Sequence, residues 1–265
     1  MPTMSHCPKC GAEIQENTNF CANCGYSIET RPIARKGLVN HLKFSFKFIK
    51  THPIIFIPEF LAGIVTYGMR ELFGMAGKSL NIGDYILKQF GVNGTRITTI
   101  SDVPDIPPIF WILPFIVILI LLLISGVSGL FSFTTYHMAW NGYRNEKIDL
   151  RSSSRYTLSH VGKFFIASII ANLFALTIIL LPAAMFMYGI MIVENTGIRN
   201  GLSGGFKLSL DKIGASAGLA VLYFIILAII VRTVPYVGNF LVFIPVVIIE
   251  IASLDLYMNY KLENE

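Results

Sequence analysis

The chain has 265 residues, of which 54% are hydrophobic and only 14% charged, with 21 Lys and Arg against 16 Asp and Glu for a net charge of +5. Water-soluble domains carry about 25% charged residues, so an ordinary soluble globule is excluded. The positive balance does not call for nucleic acid, because an excess of Lys and Arg in cytoplasmic loops of a membrane protein accounts for it. We read a mainly α chain: a polytopic transmembrane helical bundle with a small metal-binding ribbon at its amino terminus. The divisions expected are 1–30 for the ribbon, 31–50 for a basic linker and interfacial helix, and 51–265 for the multi-pass domain.

All four cysteines fall within the first 24 residues, as Cys7-Pro8-Lys9-Cys10-Gly11 and Cys21-Ala22-Asn23-Cys24-Gly25. Each CxxC places two thiolates on one tight turn, and the following glycine permits the backbone geometry that aims amides at sulfur. Two such turns facing each other make a closed tetrahedral site for zinc, with iron the less favoured alternative. Thioredoxin-type redox chemistry needs a single pair in a βαβ setting and does not fit. About 30 residues bury too little apolar surface to fold alone, so the metal supplies folding energy, with Phe20 and Tyr26 as the expected miniature core. No cleavable signal peptide is expected. The terminus is polar, and the apolar run after residue 50 would serve as an uncleaved anchor.

With Phe20 ahead of Cys21, the segment resembles the short zinc ribbons at the amino termini of many prokaryotic membrane proteins. The resemblance implies a structural zinc on Cys7, Cys10, Cys21 and Cys24. Lys9 is the one basic residue before Arg31, against Glu13, Glu16 and Glu29. Four thiolates on zinc add further negative charge. Phosphate binding needs clustered cations, so a protein partner is expected here and nucleic acid is not.

A basic linker, Arg31 to Lys36, leads to LVNHLKFSFKFIK over residues 38–50. Lys43, Lys47 and Lys50 share one helical face, and Leu38, Leu42, Phe46 and Ile49 another. Strand-like alternation in Leu42–Phe48 leaves the period ambiguous. An interfacial amphipathic helix with its lysines among anionic headgroups and plain flanking charge are both open. The first crossing is expected over Pro53 to Met69 and carries Glu59, a carboxylate of the kind that is rare inside a membrane. Residues 70–107 read as an external loop, with a short surface helix at Leu80–Phe90 and a sequon at Asn93-Gly94-Thr95.

Ile109 to Phe133 reads IFWILPFIVILILLLISGVSGLFSF, inside a run without Asp, Glu, Lys or Arg from Ile106 to Tyr143. At 1.5 Å per residue, about 25 residues reach about 37 Å, beyond the ~30 Å hydrocarbon core. It shows no polar stripe of the kind a soluble helix needs, and we take it as the organising crossing. Arg144, Lys147, Arg151, Arg155 and Lys163 then mark a cytoplasmic stretch. Phe164 to Val193 is again uncharged, too long for one crossing and too short for two, and Pro182 breaks or kinks it. A hairpin there, followed by crossings at Ile213–Val231 and Phe240–Tyr257, makes six, with both termini cytoplasmic and Arg70, Lys78, Lys88, Arg96 and Arg232 outside. Five crossings are the alternative.

The pattern His52-Pro53…Pro58, then Val193-Glu194…Gly201-Leu202…Phe206-Lys207…Ser209-Leu210, resembles a broad prokaryotic superfamily of membrane domains. The superfamily includes the membrane domain accompanying some glycerophosphodiester phosphodiesterases, whose catalytic domain is absent here. Gly201 stands in place of that pattern's Ala, and Gly204-Gly205 in place of its basic-Ser pair. The resemblance implies a compact helical bundle and no established chemistry.

Gly214 and Gly218 form a GxxxG in which a neighbouring helix would sit closely. Glu250 lies inside the last crossing and Asp255 near its cytoplasmic end, and Glu59 and Glu250 are expected at similar depth. No catalytic motif is present and the five histidines are scattered, so an enzyme is not expected. Two readings follow: a non-enzymatic membrane module displaying a cytosolic zinc ribbon for interaction, assembly or regulation, or a small-solute or ion transporter using Glu59 and Glu250.

Overall fold

The computed structural model describes residues 5–6, 11, 13–14, 37–79, 108–175, 177, 180–233 and 241–264. Two short strands, β1 (Ser5–His6) and β2 (Glu13–Ile14), pair antiparallel. The helices are α1 (Leu38–Thr51), α2 (Phe56–Ser79), α3 (Pro108–Tyr143), α4 (Leu150–Ser159), α5 (Val161–Ala175), α6 (Leu181–Val193), α7 (Ile198–Asp211), α8 (Ile213–Thr233) and α9 (Phe243–Asn264). The proposed surface helix at Leu80–Phe90, the sequon, and Phe20 and Tyr26 lie outside the described residues.

Pro53 forces the first bend. A residue before proline is pushed out of the α region, and His52 sits at φ −130°, ψ 66°. A 3-10 turn over Pro53–Ile55 follows, and α1 meets the next helical segment at 104°. Helix α2 then continues to Ser79, so Arg70 and Lys78 belong to a helix and not to the expected loop. Asp149 caps α4 by accepting from the Ser152 amide at 2.8 Å. That backbone bond holds its carboxyl below the usual range. α4 and α5 meet at 87°.

The uncharged run from Phe164 divides as Pro182 requires: this proline occupies the first turn of α6, where its missing N–H costs nothing. The outcome is not two full crossings. Thirteen residues of helix reach about 20 Å, short of the ~30 Å hydrocarbon core, and α6 is enclosed by protein along nearly its whole length. Three helices are long and apolar enough to span a membrane, within Phe115–Tyr143, Ile213–Ile230 and Phe243–Asn264. The number rises to five if each bent pair, α1 with α2 and α4 with α5, is one span. Six is not reached among the described residues.

Burial differs between α3 and α9. The apolar window of α3 is 11% buried, and Phe115 and Leu119 point outward, as lipid-facing residues do. That of α9 is 67% buried. Helix α9 packs on α1, α2, α3, α6 and α8, and α3 packs on α2, α4, α5, α6 and α9, so the two helices share the centre of the bundle.

Glycines set the closest approach. A Cβ on Gly205 would lie 2.4 Å from the Ala183 carbonyl oxygen, and one on Gly201 would lie 2.5 Å from Met191 Cγ. Gly201 and Gly205 are one turn apart, so this GxxxG seats α7 against α6. Its glycines are the very departures from the family pattern noted above. The Gly214/Gly218 pair does not act as one notch: Gly218 meets Leu38 of α1, while nothing lies within 4 Å of a Cβ on Gly214.

Gly205→Ala is therefore expected to lower the unfolding midpoint in detergent, by the equivalent of about 1–3 kcal/mol for overpacking, despite its higher helix propensity. Gly214→Ala, at an open position, should leave the midpoint unchanged or raise it slightly. Circular dichroism melts of the two variants side by side check the pair.

Candidate functional site

Glu59 stands in the first turn of α2, directly after Pro58. Glu250 lies on α9. Phe243, at the start of α9, packs edge-on against Phe56 and Phe60 with ring centroids 5.8 and 5.4 Å away, which holds α2 alongside α9. Both carboxyl groups are buried, at 6% and 8% exposure. Both line the same cavity.

Around them is a cavity of about 410 Å³, walled by α2, α3, α5, α6, α8 and α9. Tyr67, Tyr136, Tyr188 and Tyr223 line it with Ser128, Ser132 and Asn172, and no Lys, Arg or His is among its described lining residues. Ser132 Oγ donates to Glu59 Oε1 at 2.8 Å. Tyr136 donates to the Met185 carbonyl at 2.9 Å and shares a hydrogen bond with Ser253 Oγ at 2.7 Å, tying α3 to α6 and α9. Glu250 Oε2 has no hydrogen-bond partner among the described residues. A buried carboxylate oxygen without a donor is costly, and two carboxylates in contact repel. A proton or another cation between them removes both penalties, so the chemistry open to this site is cation binding or proton relay.

Charge counting missed Ser128, Ser132 and Tyr136. They recur at i, i+4 and i+8 on α3, so the helix taken as stripe-free carries a stripe of hydroxyls on its cavity side. Uncharged hydroxyls do not interrupt an apolar run, but their spacing was the available signal.

A second buried polar contact joins α1 to α9. His41 Nδ1 lies 2.7 Å from Asp255 Oδ2, with both side chains enclosed. Asn259 Nδ2 donates to the Asp255 carbonyl at 2.7 Å. The inward face of α1 carries His41, Ser45, Phe48 and Ile49, with Leu38 and Leu42 packed half-buried beside them as expected; of the expected apolar face Phe46 alone turns out, at 58% exposure. Lys43, Lys47 and Lys50 do share the exposed face.

Cys7, Cys10, Cys21 and Cys24 lie outside the described residues. The described parts of the ribbon fit a metal knuckle. Ser5 pairs with Ile14 and His6 with Glu13, and Gly11 has φ +71°. That left-handed conformation is the one glycine was expected to supply after CxxC. Four thiolates on two such turns would hold zinc and stabilise the small fold when it is bound.

Residues 6–28 match the zinc-ribbon domain family, which implies zinc binding at the amino terminus. No curated protein and no solved structure matches the chain. The likeness to the membrane domain that accompanies glycerophosphodiester phosphodiesterases gains no support there.

Replacing Cys7 and Cys10 together by Ser should remove the bound zinc, about one equivalent per chain, without changing the helical circular dichroism of the membrane portion. Metal analysis of the detergent-purified protein before and after substitution checks this.

Proposed function

We propose that this is a multi-pass integral membrane protein whose Glu59–Glu250 cavity binds a small cation or cationic solute and passes it across the membrane. It acts without catalysing a covalent reaction. The observation that carries the reading is the pair of enclosed carboxyl groups lining a cavity with no basic residue among its described walls. Ionisable groups inside a membrane bundle mark ion and substrate paths. Glu250 Oε2 has no hydrogen-bond donor among the described residues, which leaves the pair short of one partner.

In this reading the cell membrane holds the bundle, with both termini in the cytoplasm. Cys7, Cys10, Cys21 and Cys24 bind a structural zinc, with iron as the alternative metal. The ribbon meets a protein partner, since its acidic balance disfavours phosphate. The interaction-module reading thus applies to residues 1–30, and the transport reading to the bundle.

The test is charge movement on a solid-supported membrane carrying the full, zinc-loaded chain. Pulses of sodium, potassium, alkylammonium and polyamine salts are applied. At least one should elicit a current that Glu59→Gln or Glu250→Gln cuts about tenfold or more, the effect expected from losing a desolvated charge partner. The Cys7→Ser, Cys10→Ser variant should retain it. Silence towards every cation rejects the transport reading.

A further inference from the structure

We propose that the Glu59–Glu250 cavity selects a small organic ammonium ion, a primary alkylamine in its charged form, over an alkali-metal ion. This rests on the cavity's being a cation site and names the class of cation. Three features of the walls support it.

The first is size. Cavities of about 300–1,000 Å³ take organic molecules, and this one measures about 410 Å³. A bare metal ion stripped of water instead needs a close shell of oxygens on all sides.

The second is how polarity is distributed. Glu59, Ser132 and Glu250 gather at one place, while Ala62, Leu227 and Val246 add apolar lining. A cation with a hydrogen-bonding head and a short apolar tail meets both kinds of wall. An ammonium group has three N–H donors. The carboxyl groups of Glu59 and Glu250, both on the cavity wall, are acceptors for them. One ammonium ion together with one proton balances the charge of two carboxylates.

The third is aromatic content. Tyr223 lines the cavity from α8 and lies within electrostatic reach of both carboxyl groups. Aromatic rings attract organic cations through their quadrupole, more strongly where water is excluded.

The probe is n-butylammonium chloride, titrated calorimetrically into the full, zinc-loaded chain in lipid nanodiscs, against sodium and potassium chloride at equal ionic strength. Butylammonium should bind, and sodium and potassium should not compete. Glu250→Gln should weaken binding about tenfold or more. Tyr223→Leu should weaken it several-fold, with Tyr223→Phe retaining it because the ring remains. If Glu250→Gln does not fold, the Tyr223→Leu and Tyr223→Phe pair carries the same comparison.

Glu250-dependent binding of sodium or potassium, with none of butylammonium, overturns the ammonium assignment and leaves the cation cavity standing. Butylammonium binding that neither Glu250→Gln nor Tyr223→Leu alters places the ligand elsewhere and overturns the assignment. No binding of any of the three overturns the ammonium assignment and the cation-site reading together.

Discussion

Two carboxyl groups enclosed in an apolar helical bundle are the constraint on which the arrangement of the other helices depends. Each carries a desolvation penalty of several kcal/mol if ionised alone. The fold answers by bringing α2, α3 and α9 together so that Glu59, Ser132 and Glu250 meet. The neighbouring polar side chains follow from that choice. Tyr136 and Ser253 carry hydrogen bonds from α3 to α6 and α9. Glu250 Oε2 is left without a hydrogen-bond donor among the described residues.

The same helix connects the cavity to the amino terminus. Asp255 lies on α9 beyond Glu250 and pairs with His41 of α1, the helix that follows the linker from the ribbon. A histidine and an aspartate shielded from water are costly apart and favourable together, so α1 is fixed to α9 by chemistry as well as by Phe48 and Ile49. Its lysines are left on the opposite face, where aqueous or headgroup charge can meet them. The basic, amphipathic character of α1 therefore serves two surfaces at once.

Close packing elsewhere depends on missing side chains. α6 is short and enclosed, and α7 reaches its backbone because Gly201 and Gly205 present no Cβ. The bend at Pro53 and the break at Pro182 place these helices at angles that straight spans would not reach. The ribbon lies at the other extreme. Two short strands pair and Gly11 is left-handed there, and the zinc-ribbon family matches residues 6–28. Domains of so few residues draw folding energy from a bound metal, where a larger bundle draws it from packed apolar surface.

Several features were legible in the residues themselves because they are local. CxxCG spacing declares the ribbon, since ligands two residues apart share one turn whatever surrounds them. Uncharged runs declare spanning helices, since length and hydropathy are properties of the run. Proline declares its own bends. Glu59 and Glu250 stood out because charge is scarce in such runs. Tertiary structure alone decided that these two residues, distant in sequence, share one cavity, that α9 is buried beside α3 at the centre, that His41 belongs to Asp255, and that Gly201 and Gly205 rather than Gly214 form the notch. Each of these depends on which face of one helix meets another, and a single helix's pattern does not encode its neighbour.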